Sequence, residues 1–184
     1  CRDSLLFVFL TIVLNSLVLD LIRKVNSFGI SLVKLDIRQH SERHDSALAE
    51  LTEVLNLGSY TQWSEEERQE FLLAELNNPR PLLPKYRWSE ETQEVFDTFA
   101  MIAQEPAELF GLYVISMASE VSDVLAVKLL LKASGVSWDM PIAPLFETLD
   151  DLNNAPQIMA ELLNIESYRS TCNKQHNVMI GYSD

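Results

Sequence analysis

Two carboxylates stand out by where they fall. Glu147 closes the apolar run Pro141-Ile142-Ala143-Pro144-Leu145-Phe146, and Asp184 closes Val178-Met179-Ile180-Gly181-Tyr182-Ser183. Short apolar runs of this kind read as buried strands. In proteins that alternate strands with helices, sites are built at the carboxyl ends of the strands. Two acids placed there can hold a hard divalent cation such as Mg²⁺ through oxygen ligands. Arg38 follows a third run, in Lys34-Leu35-Asp36-Ile37-Arg38-Gln39. Its guanidinium fork matches two oxygens of a phosphate or a carboxylate. Taken singly, each residue has a plainer reading. Either acid can cap a helix or pair with a cation, and Arg38 can pair with Asp36 or another acid. Two acids and an arginine at three strand ends favour a site. Leu145 and Met179 precede the acids by two and five residues, and by position alone they read as core.

The other reactive residue types carry less. His40 and His44 are four apart, a spacing that can bind zinc on a helix, but neither a His-Glu-x-x-His context nor a third ligand accompanies them. His176 lies among polar residues and reads as surface. Asp150 and Asp151 read as caps of the helix that follows, where the dipole favours negative charge. The two cysteines, Cys1 and Cys172, form no CxxC pair, so neither a zinc site nor a disulfide framework is indicated, and a reducing, cytoplasmic setting is expected. No Gly-x-Gly-x-x-Gly and no Gly-x-x-x-x-Gly-Lys is present, which removes the dinucleotide and P-loop readings.

Composition narrows the partners. The formal net charge is −13 and the pI about 4.6, which argues against a nucleic acid held by phosphate neutralisation. A small anion is compatible with this charge, because a few arginines make a local positive pocket in an acidic protein. Charged residues are 22% and hydrophobic ones 47%, a globular balance. The run from Leu5 to Leu19 is apolar except for Thr11, Asn15 and Ser16. It is shorter than the ~20 residues a membrane helix needs and lacks a cleavage site. A buried helix is expected there, and no membrane partner. The chain opens on Cys1 and stops inside a motif, so it reads as a piece of a longer protein.

The elements that must position these residues alternate in type. A helix over 15–26 should stop near Gly29. A strand over Ile30–Ile37 follows, then a helix over His44–Leu55. Ser64 with Glu67 makes a capping box for a helix to Leu76. Asn77-Asn78-Pro79-Arg80-Pro81 and Pro84 form a rigid loop, and Ser89 opens a helix to Gln104. A strand over Leu112–Met117 leads to a helix over Val124–Ala133. A third strand covers Pro141–Phe146. Asp150 or Asp151 starts a short helix, Pro156 opens a further one to Leu163, and a fourth strand spans Val178–Tyr182. Long helical stretches between strands imply parallel pairing, and nearly continuous apolar strands imply burial on both faces. A β/α barrel and an open doubly wound sheet both satisfy this pattern. Polar groups at nearly every strand end favour the barrel.

Several segments together resemble one family, phosphoenolpyruvate carboxylase. They are Phe28 to Gln39, Ser41-Glu42-Arg43-His44, Arg80-Pro81-Leu82-Leu83, Tyr113 to Ala118, Ser122 to Val127, Pro144 to Leu152 and Val178 to Asp184. Their order is the family's, and the resemblance runs from about residue 14 to the end. The stretch Leu5–Val13 departs from it.

The resemblance implies an α/β fold, a helix-rich β/α (TIM-type) barrel. About half of that barrel would be present, as one partial catalytic domain over 1–184 with no separate second domain. It implies Mg²⁺- or Mn²⁺-dependent carboxylation of phosphoenolpyruvate by bicarbonate to oxaloacetate and inorganic phosphate, which feeds the tricarboxylic acid cycle. It also implies a cytoplasmic homotetramer. By resemblance, Glu147 and Asp184 match metal ligands and Arg38 matches a phosphate grip. Leu145 and Met179 match an apolar wall beside the reacting methylene carbon. The family's catalytic histidine and lysine match no residue here, so this piece is expected to be inactive alone. Two rival readings are another metal-dependent, enolate-forming barrel enzyme and a non-catalytic helical interaction module.

Overall fold

The computed structural model describes residues 17–29, 32–170 and 175–181. The chain divides into two compact units, Cys1–Lys34 and Leu35–Asp184. In the first, helix α1 (residues 17–28) ends where expected. Gly29 takes a left-handed φ of 63°, a conformation glycine adopts without a Cβ penalty, and its N–H reaches Val25 O at 2.8 Å. Leu5–Val13 lies outside the described residues. Leu17, Val18 and Leu19, at the described end of that run, are exposed in this chain.

The second unit is built on four parallel strands in the order β1-β2-β3-β4. They are β1 (Leu35–His40), β2 (Phe110–Ser116), β3 (Ile142–Phe146) and β4 (Met179–Ile180). The crossover from β1 to β2 carries α2 (Ser41–Val54), α3 (Glu65–Asn77) and α4 (Glu90–Gln104). The next crossover carries α5 (Val121–Ala133). The last carries α6 (Leu149–Asn164) and α7 (Glu166–Arg169). The parallel pairing and the α/β class agree with the sequence reading.

The helix starts follow their capping chemistry. The Ser64 hydroxyl accepts from Glu67 N while Glu67 accepts from Ser64 N, so two N–H groups that the helix leaves unpaired are satisfied at once. Ser89 caps α4 in the simpler way. Thr148 and Asp151 form the same reciprocal box for α6, which bears out Asp151 as a capping residue. Two boundaries need correction. Pro156 does not open a new helix but sits inside α6, since the well-capped start at Thr148 carries the helix through it. The first strand begins at Leu35, not Ile30. Leu32 has a φ of 63°, which an extended strand cannot contain.

The two sheet faces differ. Side chains alternate along a strand, so Ile37, Tyr113, Ile115, Ile142 and Phe146 share one face and pack into the helical core. α5 is at the centre of that core and is buried on nearly every side, as an all-round apolar helix must be. The opposite face presents Arg38, Val114, Ala143 and Leu145. The last three are buried yet belong to a layer separate from the helical core.

Candidate functional site

The sheet brings four of the five candidate residues together on that second face. Arg38 is in register with Val114, and Val114 with Ala143. Leu145, two residues beyond Ala143, is in register with Met179. Glu147 continues the same alternation one residue past β3. Arg38 therefore lies within β1 rather than after it, because the strand starts late and runs to His40. Asp184 lies outside the described residues.

Arg38 Nη2 donates to Glu147 Oε1 at 2.8 Å, across the width of β2 and between residues 109 apart in sequence. The arginine is 57% exposed and the carboxylate 20%. Asp36, the near-neighbour alternative, is used otherwise: its carboxylate accepts from Leu112 N at 2.7 Å. Leu145 is buried, and Met179 is half-buried.

Backbone links beyond the ladder hold the strand ends in place. The Ser41 hydroxyl donates to Met117 O at 2.8 Å, and Ala118 N donates to Leu145 O at 3.3 Å. Gly181 N donates to Phe146 O at 2.9 Å. Met117 has a φ of 56°, strained for a residue with a Cβ. The Asp151 carboxylate accepts from Thr148 N at 3.0 Å and Glu147 N at 3.4 Å, so the cap of α6 also fixes the backbone of Glu147.

Gly181 lies close against Glu147. A Cβ built there would lie 3.1 Å from Glu147 Cα and 3.3 Å from its Cβ and Cγ, so Glu147 would have to give way by a few tenths of an ångström. Sequence reading gave Asp151 as a cap but assigned no supporting role to Ser41, Met117 or Gly181. A glycine between Ile180 and Tyr182 was a usable signal, because an isolated glycine in a strand marks close approach of another chain segment. The strain at Met117 had no signal in its residue type.

The histidines do not form a metal site. His40 caps α2 through Nδ1, which accepts from Glu42 N. His44 is fully buried and bonded through Nε2 to Tyr113 Oη at 2.8 Å. Burial, with the charges of His40 and Arg43, lowers its pKa to about 3, so it is neutral. His176, read as surface, is half-buried against Tyr168, 2.8 Å from its hydroxyl. Among the described residues no group of three or more His, Cys, Asp or Glu can hold a metal. Of the two candidate ligands, Glu147 is the one among the described residues, and its carboxylate is a hard oxygen donor. That suits Mg²⁺, which takes one or two carboxylates and completes its shell with water and substrate oxygens.

Residues 1–184 match the family model for phosphoenolpyruvate carboxylase. The chain belongs to the phosphoenolpyruvate carboxylase family. It is 53% identical over 185 residues to the phosphoenolpyruvate carboxylase of Photorhabdus laumondii. It is 54% identical to that of Edwardsiella ictaluri and 53% identical to that of Escherichia coli O1:K1. Each comparison takes in 100% of this chain and 21% of the relative, so the chain spans about a fifth of the length of the curated phosphoenolpyruvate carboxylases it matches. The match begins at residue 1, and so includes the Leu5–Val13 stretch that sequence reading set apart from the family. Among the described residues no helix is long and apolar enough to cross a membrane.

Proposed function

We propose that this chain is part of an enzyme that carboxylates phosphoenolpyruvate with bicarbonate, releasing oxaloacetate and inorganic phosphate. Its piece of the site would be the face that carries Arg38, Leu145, Glu147 and Met179. The observation that carries this reading is the Arg38–Glu147 pair at 2.8 Å. In a chain of this family, a guanidinium paired with a carboxylate on one sheet face supports a phosphate grip beside a hard oxygen ligand.

The residues divide the work by chemical type. Arg38 would bind the phosphate of the substrate and neutralise charge on the phosphoryl group during transfer. Glu147, with Asp184, would hold Mg²⁺ or Mn²⁺, whose charge would stabilise the developing enolate. Leu145 and Met179 would form an apolar wall beside them. Such a wall excludes water and so limits stray protonation of the enolate carbon while CO₂ is held for capture. The rest of the architecture is read the same way. Four parallel strands in sequential order, with no reversal, are the order of a β/α barrel, and residues 1–184 would supply about half of one. A cytoplasmic homotetramer is the assembly expected of the whole protein.

The test is phosphate release from phosphoenolpyruvate by the full-length protein with Mn²⁺, with and without bicarbonate, in wild type and Glu147→Gln. Bicarbonate-dependent release that collapses in the variant supports the reaction and the metal role. Release that ignores bicarbonate sinks the reaction, and release that survives the substitution sinks the role of Glu147.

A further inference from the structure

Arg38 and Gln39 are consecutive in β1, so their side chains leave opposite faces of the sheet. Arg38 faces the site. Gln39, on the helix-covered face, is held from two sides. Its Oε1 accepts from Tyr113 Oη at 2.7 Å, and its Nε2 donates to Thr98 Oγ1 at 3.3 Å. The backbone O of Gln39 also accepts from Ser116 Oγ at 3.3 Å.

The relay has one consistent direction. An amide oxygen only accepts, so the single Tyr113 proton goes to Gln39. The hydroxyl must then accept from His44, which puts the imidazole proton on Nε2. Neutral His44 can supply that one N–H. Thr98 in turn donates to Glu94 O at 2.9 Å, and Glu94 pairs with Arg43 at 2.8 Å. Tyr113 stacks on Phe99 with ring centroids 5.2 Å apart, and His44 meets Phe99 edge-on. Elements α2, α4 and β2 thus converge on one residue of β1.

β1 needs such a clamp. Its ladder to β2 is irregular between Leu35 and Ile37. A slip of one residue would carry Arg38 to the helical face. We propose that the relay His44–Tyr113–Gln39, anchored by Thr98, positions Arg38 for the substrate phosphate. The residues of the relay are positioning residues, since none of them touches the site face.

The proposal rests on the carboxylase reading, and a double-mutant cycle in the full-length enzyme separates the two. Tyr113→Phe removes one hydroxyl and unlinks Gln39 from His44. It should raise the KM for phosphoenolpyruvate about fivefold to tenfold, with kcat less affected. In an Arg38→Lys background the same substitution should change little, because the residue it acts through is already altered. Ile115→Val, on the same strand and face, removes core packing without touching the relay and should leave KM unchanged. Thr98→Val, on the rim of the relay, gives a second and milder break in the same direction. Equal effects of Tyr113→Phe in both backgrounds, or a KM shift from Ile115→Val as large, would overturn the proposal. Wild-type enzyme without bicarbonate-dependent phosphate release would instead overturn the carboxylase reading.

Discussion

Replacing Arg38 by glutamine should separate function from stability. The ion pair with Glu147 joins a side chain that is 57% exposed to one that is 20% exposed. Exposed pairs of this kind contribute about 0.2–1 kcal/mol, so Arg38→Gln should move the melting temperature of the full-length protein by only a few degrees. The effect on catalysis should be far larger. Loss of one preorganised donor to charge in a transition state costs roughly 10²–10³ in rate, and glutamine keeps a polar group but no charge. The expected result is therefore a fall of about two to three orders of magnitude in kcat/KM for phosphoenolpyruvate, with near-native melting. A third reading needs no turnover. Without Arg38, Glu147 loses the cation that competes for its oxygen, so Mn²⁺ titrated into substrate-free protein should bind more tightly. The same 0.2–1 kcal/mol corresponds to about 1.4- to 5-fold in affinity, readable by electron paramagnetic resonance of the free ion. Wild-type kcat/KM in the variant would refute the assignment of Arg38. Weaker Mn²⁺ binding would refute the idea that the pair engages the metal carboxylate.

Two further outcomes follow from packing and burial. Gly181→Ala should displace Glu147, since the new methyl would meet its Cα at 3.1 Å; Mn²⁺ affinity and kcat/KM should both fall, and native values for both would show that β4 yields without moving the carboxylate. Asp123 is buried, and burial raises its pKa to about 7 against the hydrogen bonds it accepts from Ser119 N and Glu120 N. A folded-state pKa above the unfolded one means that the native state holds the extra proton between about pH 4 and pH 7. Stability from this group is present at the acid end and lost as pH rises through 7, by at most about 4 kcal/mol. Melting curves of the full-length protein from pH 5 to 8 should therefore show a slope that Asp123→Asn reduces, and an unchanged slope would place the titration elsewhere.

What could be read from the sequence was local chemistry. The capping boxes at Ser64 and the helix stop at Gly29 depend on bonds within a few residues, and each is where its residue types put it. The strands and their parallel sense followed from apolar runs separated by helices. Leu145 and Glu147 share a side of one strand by simple alternation, but by position alone Leu145 and Met179 read as core, and it took the β3–β4 register to bring Met179 beside them. Boundaries failed where a neighbour outweighed propensity. The backbone at Leu32 delayed β1 and so moved Arg38 inside the strand, and the cap at Thr148 carried α6 through Pro156.

The sequence by itself determined the family, the alternation of strand and helix, and the place of Glu147 at the end of β3. Tertiary structure alone decided that Arg38 reaches Glu147 rather than Asp36, because that choice depends on β2 lying between β1 and β3 in a given register. It alone decided that Gly181 lies against Glu147, that Met117 is strained, and that His44, Tyr113, Gln39 and Thr98 form one relay. These contacts join residues separated by tens of positions, and no periodicity within a segment encodes the partner that packing brings to it from another.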